Sequence, residues 1–209
     1  VVCKPRIRAT ARVGDWIAGT GSKYAKTATG VPRDLRGRLV YAMRVSQTMT
    51  MREYDAYTQS ELPGKVPDWS SVDPRRRVGD SLYDFSNGEP VQRKGVHSER
   101  YMSMDLSGEN ALVGEHFYYF GTNAIELPPD LRPIAQNQQG HRVRLNESYR
   151  ERFVAWLEGQ AGGSGIVGEP LLDLFGNDTC ADWCAAVRAE AGENDRELDR
   201  DDANEACAG

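Results

Sequence analysis

ARVGDWIAGTGSK, residues 11–23, decides how this chain is to be read, because it is either a phosphate-cradling loop or a strand that runs into a tight turn. A Walker-type loop needs Gly, four residues, then Gly-Lys-Ser/Thr, so that backbone amides wrap the phosphates while the lysine reaches across them. Gly14 and Gly19 have that spacing, but Thr20 stands where the lysine must be, and Lys23 follows Ser22 instead of preceding it. A dinucleotide fingerprint needs a third glycine where Tyr24 stands. The structural reading remains: RVGD forms a turn, Trp16, Ile17 and Ala18 begin a strand, and Gly19 and Gly21 lend φ freedom where it ends. A functional reading coexists with it. A glycine-rich strand end lets a flat or anionic ligand approach the backbone, with Ser22 and Lys23 as polar handles.

Outward from this stretch, LRGRLVYAMRVSQ (35–47) predicts a half-buried strand, with Leu39, Tyr41, Met43 and Val45 on one face and Arg38, Ala42, Arg44 and Ser46 on the other. Thr50 and Glu53 predict a capped helix over MREYDAYTQ, where Met51, Tyr54 and Tyr57 recur at helical spacing. Residues 61–77 are rich in Pro, Gly, Asp and Ser and read as a surface loop with Trp69 as a plug. RVGD returns at 77–80 before SLYDF, whose alternation sets Leu82 and Asp84 against Tyr83 and Phe85.

ENALVGEHFYYFG (109–121) predicts two strands, or one bulged at Gly114. Phe117 and Tyr119 then share one face, Tyr118 and Phe120 the other; one face is core and the other is free to stack on a base. ELPPDLRPIAQ reads as a connector with one helical turn. SYRERFVAWLEGQ (148–160) predicts a helix with Tyr149, Phe153, Trp156 and Leu157 along one stripe. DTCADWCAAVRAEA predicts a further helix, and the acidic residues 189–209 read as a disordered tail.

With 209 residues, 39% of them hydrophobic, the chain can bury one core of ordinary size. No apolar run approaches the ~20 residues of a membrane span, and VVCKPRIRAT is not a secretory signal. Cysteines at 3, 180, 184 and 207 do not staple a fold, so a reducing, cytoplasmic location is expected. The net charge of −5 hides an asymmetry. Residues 1–52 carry eleven Lys and Arg against Asp15 and Asp34, whereas residues 189–209 carry eight acids against Arg196 and Arg200. The basic quarter can attract polyanions, for which the acidic tail would compete.

Cys180 and Cys184 sit four apart, but His97, His116 and His141 are far away in sequence, so neither a metal nor a cofactor is expected. No G-x-S-x-G motif is present. His97, in VHSE, is the weak candidate for acid/base work, with Asp80 or Asp15 as partner; an aspartate after glycine in a turn more often bonds to the backbone. Trp16, Tyr83 and Tyr119 are candidates to stack on a base beside Gly19, Gly21 and Ser22. Lys4, Arg6, Arg8 and Lys23 are candidates to meet phosphates.

Taken in order, CKPRIR, VGDWIAGTGS, GRLVYAMRV, RVGDSLYDF, HFYYFG followed by Leu-Pro, and FVAWL resemble the nucleotide modification associated domain 2 family over roughly three quarters of the chain. The resemblance implies a part in DNA base modification in bacteria and phages, with no established catalytic residue to carry over. It also implies a domain over 1–165 without its usual first strand, an extension over 166–188, and the tail. The V-G-D-W strand followed by LVYAMRV is similar to the start of PUA-like domains. The expected fold is therefore α+β, a small PUA-like mixed β-barrel or strongly bent sheet with two to three flanking helices. The expected function is a nucleic-acid or modified-nucleobase binding module, with DNA or a modified nucleotide and other DNA-modification proteins as partners. The alternatives are an enzyme acting on a base through His97 and an accessory partner-binding protein.

Overall fold

The computed structural model describes residues 4–25, 27, 31–94, 99–135, 142, 145–160 and 162–170. His97, His141, the four cysteines, the helix expected near 178–191 and the acidic tail lie outside the described residues. In chain order the elements are α1 (Pro5–Thr10), β1 (Trp16–Thr20), β2 (Arg38–Arg44), β3 (Gln47–Thr50), α2 (Met51–Ser60), β4 (Tyr83–Asp84), β5 (Val91–Gln92), α3 (Met102–Leu106), β6 (Asn110–Val113), β7 (His116–Tyr119), β8 (Ile125–Glu126), α4 (Arg150–Glu158) and β9 (Gly165–Ile166). The described residues divide into two compact units, one of residues 4–54 and 104–170 and one of residues 55–103.

The first unit is built on a five-stranded sheet in the order β1-β2-β7-β9, with β8 also pairing β2. All pairs are antiparallel except β7 with β9. A smaller ribbon, β3 with β6, runs on from the same two chain segments. The ladder breaks at Gly114, where a Cβ would press on the Arg44 carbonyl oxygen at 2.7 Å, so the stretch forms two strands. Among the described residues the sheet stays open and no barrel closes, which corrects the PUA-like expectation while leaving the α+β class intact. Among the described residues there are four α-helices where two to three were expected. The two unforeseen ones, α1 and α3, have six and five residues, too few to show an apolar repeat.

The two faces of β2 also differ from strict alternation. Gly19 pairs Tyr41 but Thr20 pairs Leu39, so Val40 is an extra residue, a β-bulge. A bulge shifts the side-chain phase by one, which puts Leu39 on the same side as Ala42 rather than with Tyr41. Leu39 and Ala42 are accordingly both fully buried. They form the core with Tyr118 and Phe120 from β7, Leu127, Leu131 and Ile134 from the proline-rich connector, and Phe153 and Leu157 from α4. Each large side chain so buried contributes roughly 1.5–3 kcal/mol of transfer free energy, which fixes α4 to the sheet.

The two glycines that raised the question of a phosphate loop have structural work of another kind. Neither adopts a positive φ, so the expected φ freedom is not what they supply; Gly14 in the preceding turn does, at 95°. What matters at Gly19 and Gly21 is the missing Cβ: the Tyr41 ring lies over Gly19, and Leu35 packs on Gly21 with its carbonyl oxygen 2.6 Å from where a Cβ would be. Gly21→Ala is therefore expected to cost about 1–3 kcal/mol by overpacking against backbone. Urea denaturation measures it, and an unchanged midpoint would contradict this packing.

In the second unit α2 supplies buried Asp55 and Thr58 instead of an apolar stripe. The helix begins as expected, with Thr50 and Glu53 capping each other: the Thr50 N–H donates to the Glu53 carboxylate at 2.8 Å, and the Glu53 N–H to the Thr50 hydroxyl at 3.2 Å. SLYDF does not alternate. Ser81, Leu82 and Tyr83 are buried in succession, because only Tyr83–Asp84 is strand and the residues before it are irregular, with Arg93 donating to the Ser81 carbonyl at 3.2 Å.

Candidate nucleobase-binding site

In the antiparallel register Trp16 of β1 lies opposite Arg44 of β2, and Arg44 opposite His116 of β7. One pleat on, Ala18, Ala42 and Tyr118 form the next row of the same face. The small residues at 18 and 42 leave room above the middle strand, and the large rings lean across it. Trp16 meets His116 edge-on with centroids 5.3 Å apart and Tyr118 at 6.3 Å. His116 and Tyr118 are 5.4 Å apart, and Tyr118 stacks on Phe120 at 6.2 Å and 16°. The series runs from the buried Phe120 and Tyr118 outward to the half-buried Trp16 and His116, forming an aromatic shelf whose outer end meets solvent beside the exposed Arg44.

The shelf carries a defined polar pair. His116 Nε2 and the Tyr118 hydroxyl are 3.3 Å apart. Burial, with the Glu158 carboxylate as a smaller influence, pushes the Tyr118 phenol above its ordinary value. It therefore stays protonated at neutral pH, and the phenol and the imidazole are held within hydrogen-bond distance of each other. Arg150, from α4, donates to the Gly14 carbonyl at 3.0 Å and lies 4.0 Å from Asp15, holding the turn that leads into Trp16. Such an arrangement can hold a flat ring against the indole and address its edge with the other imidazole nitrogen and one guanidinium.

The residues singled out from the sequence are brought together only in part. Trp16 lies on the core face of the sheet and Tyr119 on the other, beside Tyr41 and Gly19, so these two rings do not share a site. Tyr83 is buried in the second unit, where its carbonyl accepts from Arg93 at 2.7 Å. Arg8 is 1% exposed, and its guanidinium donates to the carbonyls of Asp105 and Asn110, so it faces the interior and not a phosphate. Lys4 is half-buried, and Arg6, Ser22 and Lys23 are exposed. Asp15 accepts the Arg12 N–H at 2.8 Å and closes the turn, while Asp80 lies 3.7 Å from Lys65 Nζ. His97 lies outside the described residues. Among the described residues no group of His, Cys, Asp or Glu is placed to hold a metal ion, and no helix is long and apolar enough to cross a membrane.

Sequence reasoning passed over Arg44, His116 and Tyr118. The available signal was H-x-Y on a predicted strand, which sets both side chains on one face. Their convergence on Trp16 depends on strand register. It also passed over the cluster around Asp55 in the second unit. There Asp55 pairs with Arg93 at 2.7 Å and accepts from the Phe85 N–H and the Gln59 amide. Arg93 also reaches Asp84 at 3.5 Å, which, together with the stronger hydrogen bonds from Ser86, lowers the Asp84 carboxyl.

These features define a mixed α+β protein with an open antiparallel sheet and an aromatic, histidine-bearing shelf at its edge. The sequence profile described as nucleotide modification associated domain 2 matches residues 1–177. The chain belongs to that family, and so to proteins associated with nucleotide modification. No curated protein and no solved structure matches it.

Proposed function

We propose that this chain is a nucleobase-binding module that takes part in DNA base modification, with the base held against Trp16 and its edge met by His116 and Arg44. The observation that carries the reading is a half-buried indole packed edge-on against a histidine whose second nitrogen is already satisfied by a buried tyrosine. A Trp kept only for the core has no need of an oriented imidazole at its solvent end. The family supports the nucleotide connection, and DNA or a modified nucleotide is the proposed ligand, with other DNA-modification proteins as proposed partners.

The test is titration of the purified protein with deoxynucleoside monophosphates carrying unmodified and methylated bases, followed by calorimetry. Base–aromatic stacking is worth about 1–3 kcal/mol, so Trp16→Ala is expected to weaken binding at least about fivefold. His116→Ala is expected to change the preference among bases more than the overall affinity. Equal binding by the parent and Trp16→Ala would overturn the proposal.

A second reading, in which the shelf does chemistry, is favoured by the imidazole and phenol at hydrogen-bond distance. It predicts a new nucleoside in mass spectra of DNA incubated with the parent protein. The same spectra from His116→Ala should lack it.

A further inference from the structure

β1 and β2 are antiparallel neighbours, and about two to five residues suffice to join such a pair. Here the connection is Gly21 through Gly37, seventeen residues. Connections of that length in a folded domain are uncommon and commonly functional. This one is not slack at its root. The Gly21 N–H donates to the Arg38 carbonyl at 2.9 Å, Leu35 is buried at 1% exposure, and the Arg33 guanidinium donates to the Thr122 carbonyl at 2.9 Å. From that root the two limbs pair as a hairpin: the Leu35 N–H donates to the Ser22 carbonyl at 2.9 Å, and Ala25 and Arg33 exchange both backbone hydrogen bonds.

The described part of this arm has an unusual surface. Tyr24 is 68% exposed, with Lys23 Nζ 5.0 Å from the centre of its ring. Arg36 grips Asp34 through Nε and Nη2 at 3.1 and 2.6 Å. Hydrogen bonds from the Arg36 side chain and backbone hold the Asp34 carboxyl at about 2, so the acid stays ionised and matched to one arginine. Lys23 and Arg33 then leave the arm net positive. An exposed ring with an ammonium beside it, on a basic and anchored projection, is the pattern that stacks on an unpaired base while meeting the adjoining phosphates. A duplex hides its base faces within the stack, so the ligand class is a single strand.

From these features we infer that the described limbs of this connection, residues 22–25 and 31–36, form a single-strand-binding arm, in which Tyr24 stacks on a base while Lys23 faces the phosphates and Arg33 holds the arm to its root. This deepens the proposed function and rests on it for what lies at the other end of β1. Trp16 and Thr20 are the two ends of that strand, roughly 13 Å apart at about 3.3 Å per residue. At about 3.4 Å per phosphate the strand alone, which ends four residues short of Tyr24, spans roughly four stacked nucleotides. The substrate is then an oligonucleotide strand held at two points, and not a free nucleotide.

The experiment is fluorescence anisotropy with labelled single-stranded DNA from one to about twelve nucleotides, alongside monophosphate binding to the same variants. For the parent, affinity is expected to rise steeply beyond about four nucleotides. Tyr24→Ala and Lys23→Glu are each expected to weaken the longest strand about tenfold while leaving monophosphate binding unchanged. Tyr24→Phe, which keeps the ring, should bind as the parent does. Strands that bind no tighter than a monophosphate overturn the inference and leave the shelf standing. So do Tyr24→Ala and Lys23→Glu variants that bind like the parent, or duplex binding that equals single-strand binding. Loss of strand binding in Tyr24→Ala, with monophosphate binding indifferent to Trp16→Ala, would support the arm and sink the shelf.

Discussion

Replacing Asp55 by alanine is expected to destabilise the 55–103 unit by about 3–5 kcal/mol, because it leaves Arg93 buried without its closest carboxylate. Asp55 is 3% exposed and is met from three sides, by the Arg93 guanidinium, the Phe85 N–H and the Gln59 amide. The Arg93 side chain, itself mostly buried, ties the same knot to the carbonyls of Ser81 and Tyr83. Removing the carboxylate therefore strands several donors at once, whereas Asp55→Asn keeps a hydrogen-bonding oxygen and should lose less. Urea denaturation of the two variants provides the comparison. If Asp55→Ala matched the parent, the ion pair would not be organising this unit. Asp84, 3.5 Å from Arg93 and partly exposed, cannot take over the role, since its own hydrogen bonds go to Ser86.

Arg8→Ala is expected to cost about 3 kcal/mol of stability, at the upper end for hydrogen bonds made by a charged group, without changing nucleic-acid affinity or its salt dependence in the folded protein. The guanidinium anchors α1 by donating to the Asp105 and Asn110 carbonyls, and it also contacts the Met51 sulfur. Gly108 makes the approach possible, since a Cβ there would lie 2.7 Å from the Pro5 backbone. Arg8 sits in the most basic part of the sequence, where a count of charge assigns it to a phosphate. An Arg8→Ala protein that melts like the parent yet shows a shallower salt slope would return it to that role.

The shelf and the arm occupy opposite ends of β1, and their placement explains why ARVGDWIAGTGSK looks like a ligand loop without being one. The strand needs small residues near its end because Tyr41 and Leu35 lie across Gly19 and Gly21. The residues with side chains to offer, Trp16 at the strand's start and Lys23 and Tyr24 beyond its end, are consequently spread along the chain and not wrapped around a single phosphate.

Much of the fold was legible locally. The Thr50–Glu53 cap, the strand at Trp16, the interruption at Gly114 and the stripe of Phe153 and Leu157 all follow from short-range chemistry, and each is found where the residues place it. The misreadings share one cause. Alternation along β2 fails because of an extra residue at Val40, and SLYDF fails because only Tyr83–Asp84 is strand, its pairing set by β5 and Arg93 farther along the chain. Asp55 and Thr58, four and seven positions after Met51, were unreadable as buried because hydropathy assigns polar side chains to solvent until their partners are known.

What the sequence by itself determined, then, is where helices start, where strands turn and which family the chain belongs to, since caps, glycines and apolar periods act between residues close in the chain. Only the tertiary structure decided that Arg8 points inward, that Trp16 and Tyr119 lie on opposite faces, and that His116 meets Trp16 across Arg44. Those outcomes depend on strand register and on partners about a hundred residues away (Arg8 to Asn110 spans 102), and a one-residue change in register would have sent every side chain of the strand to the other face.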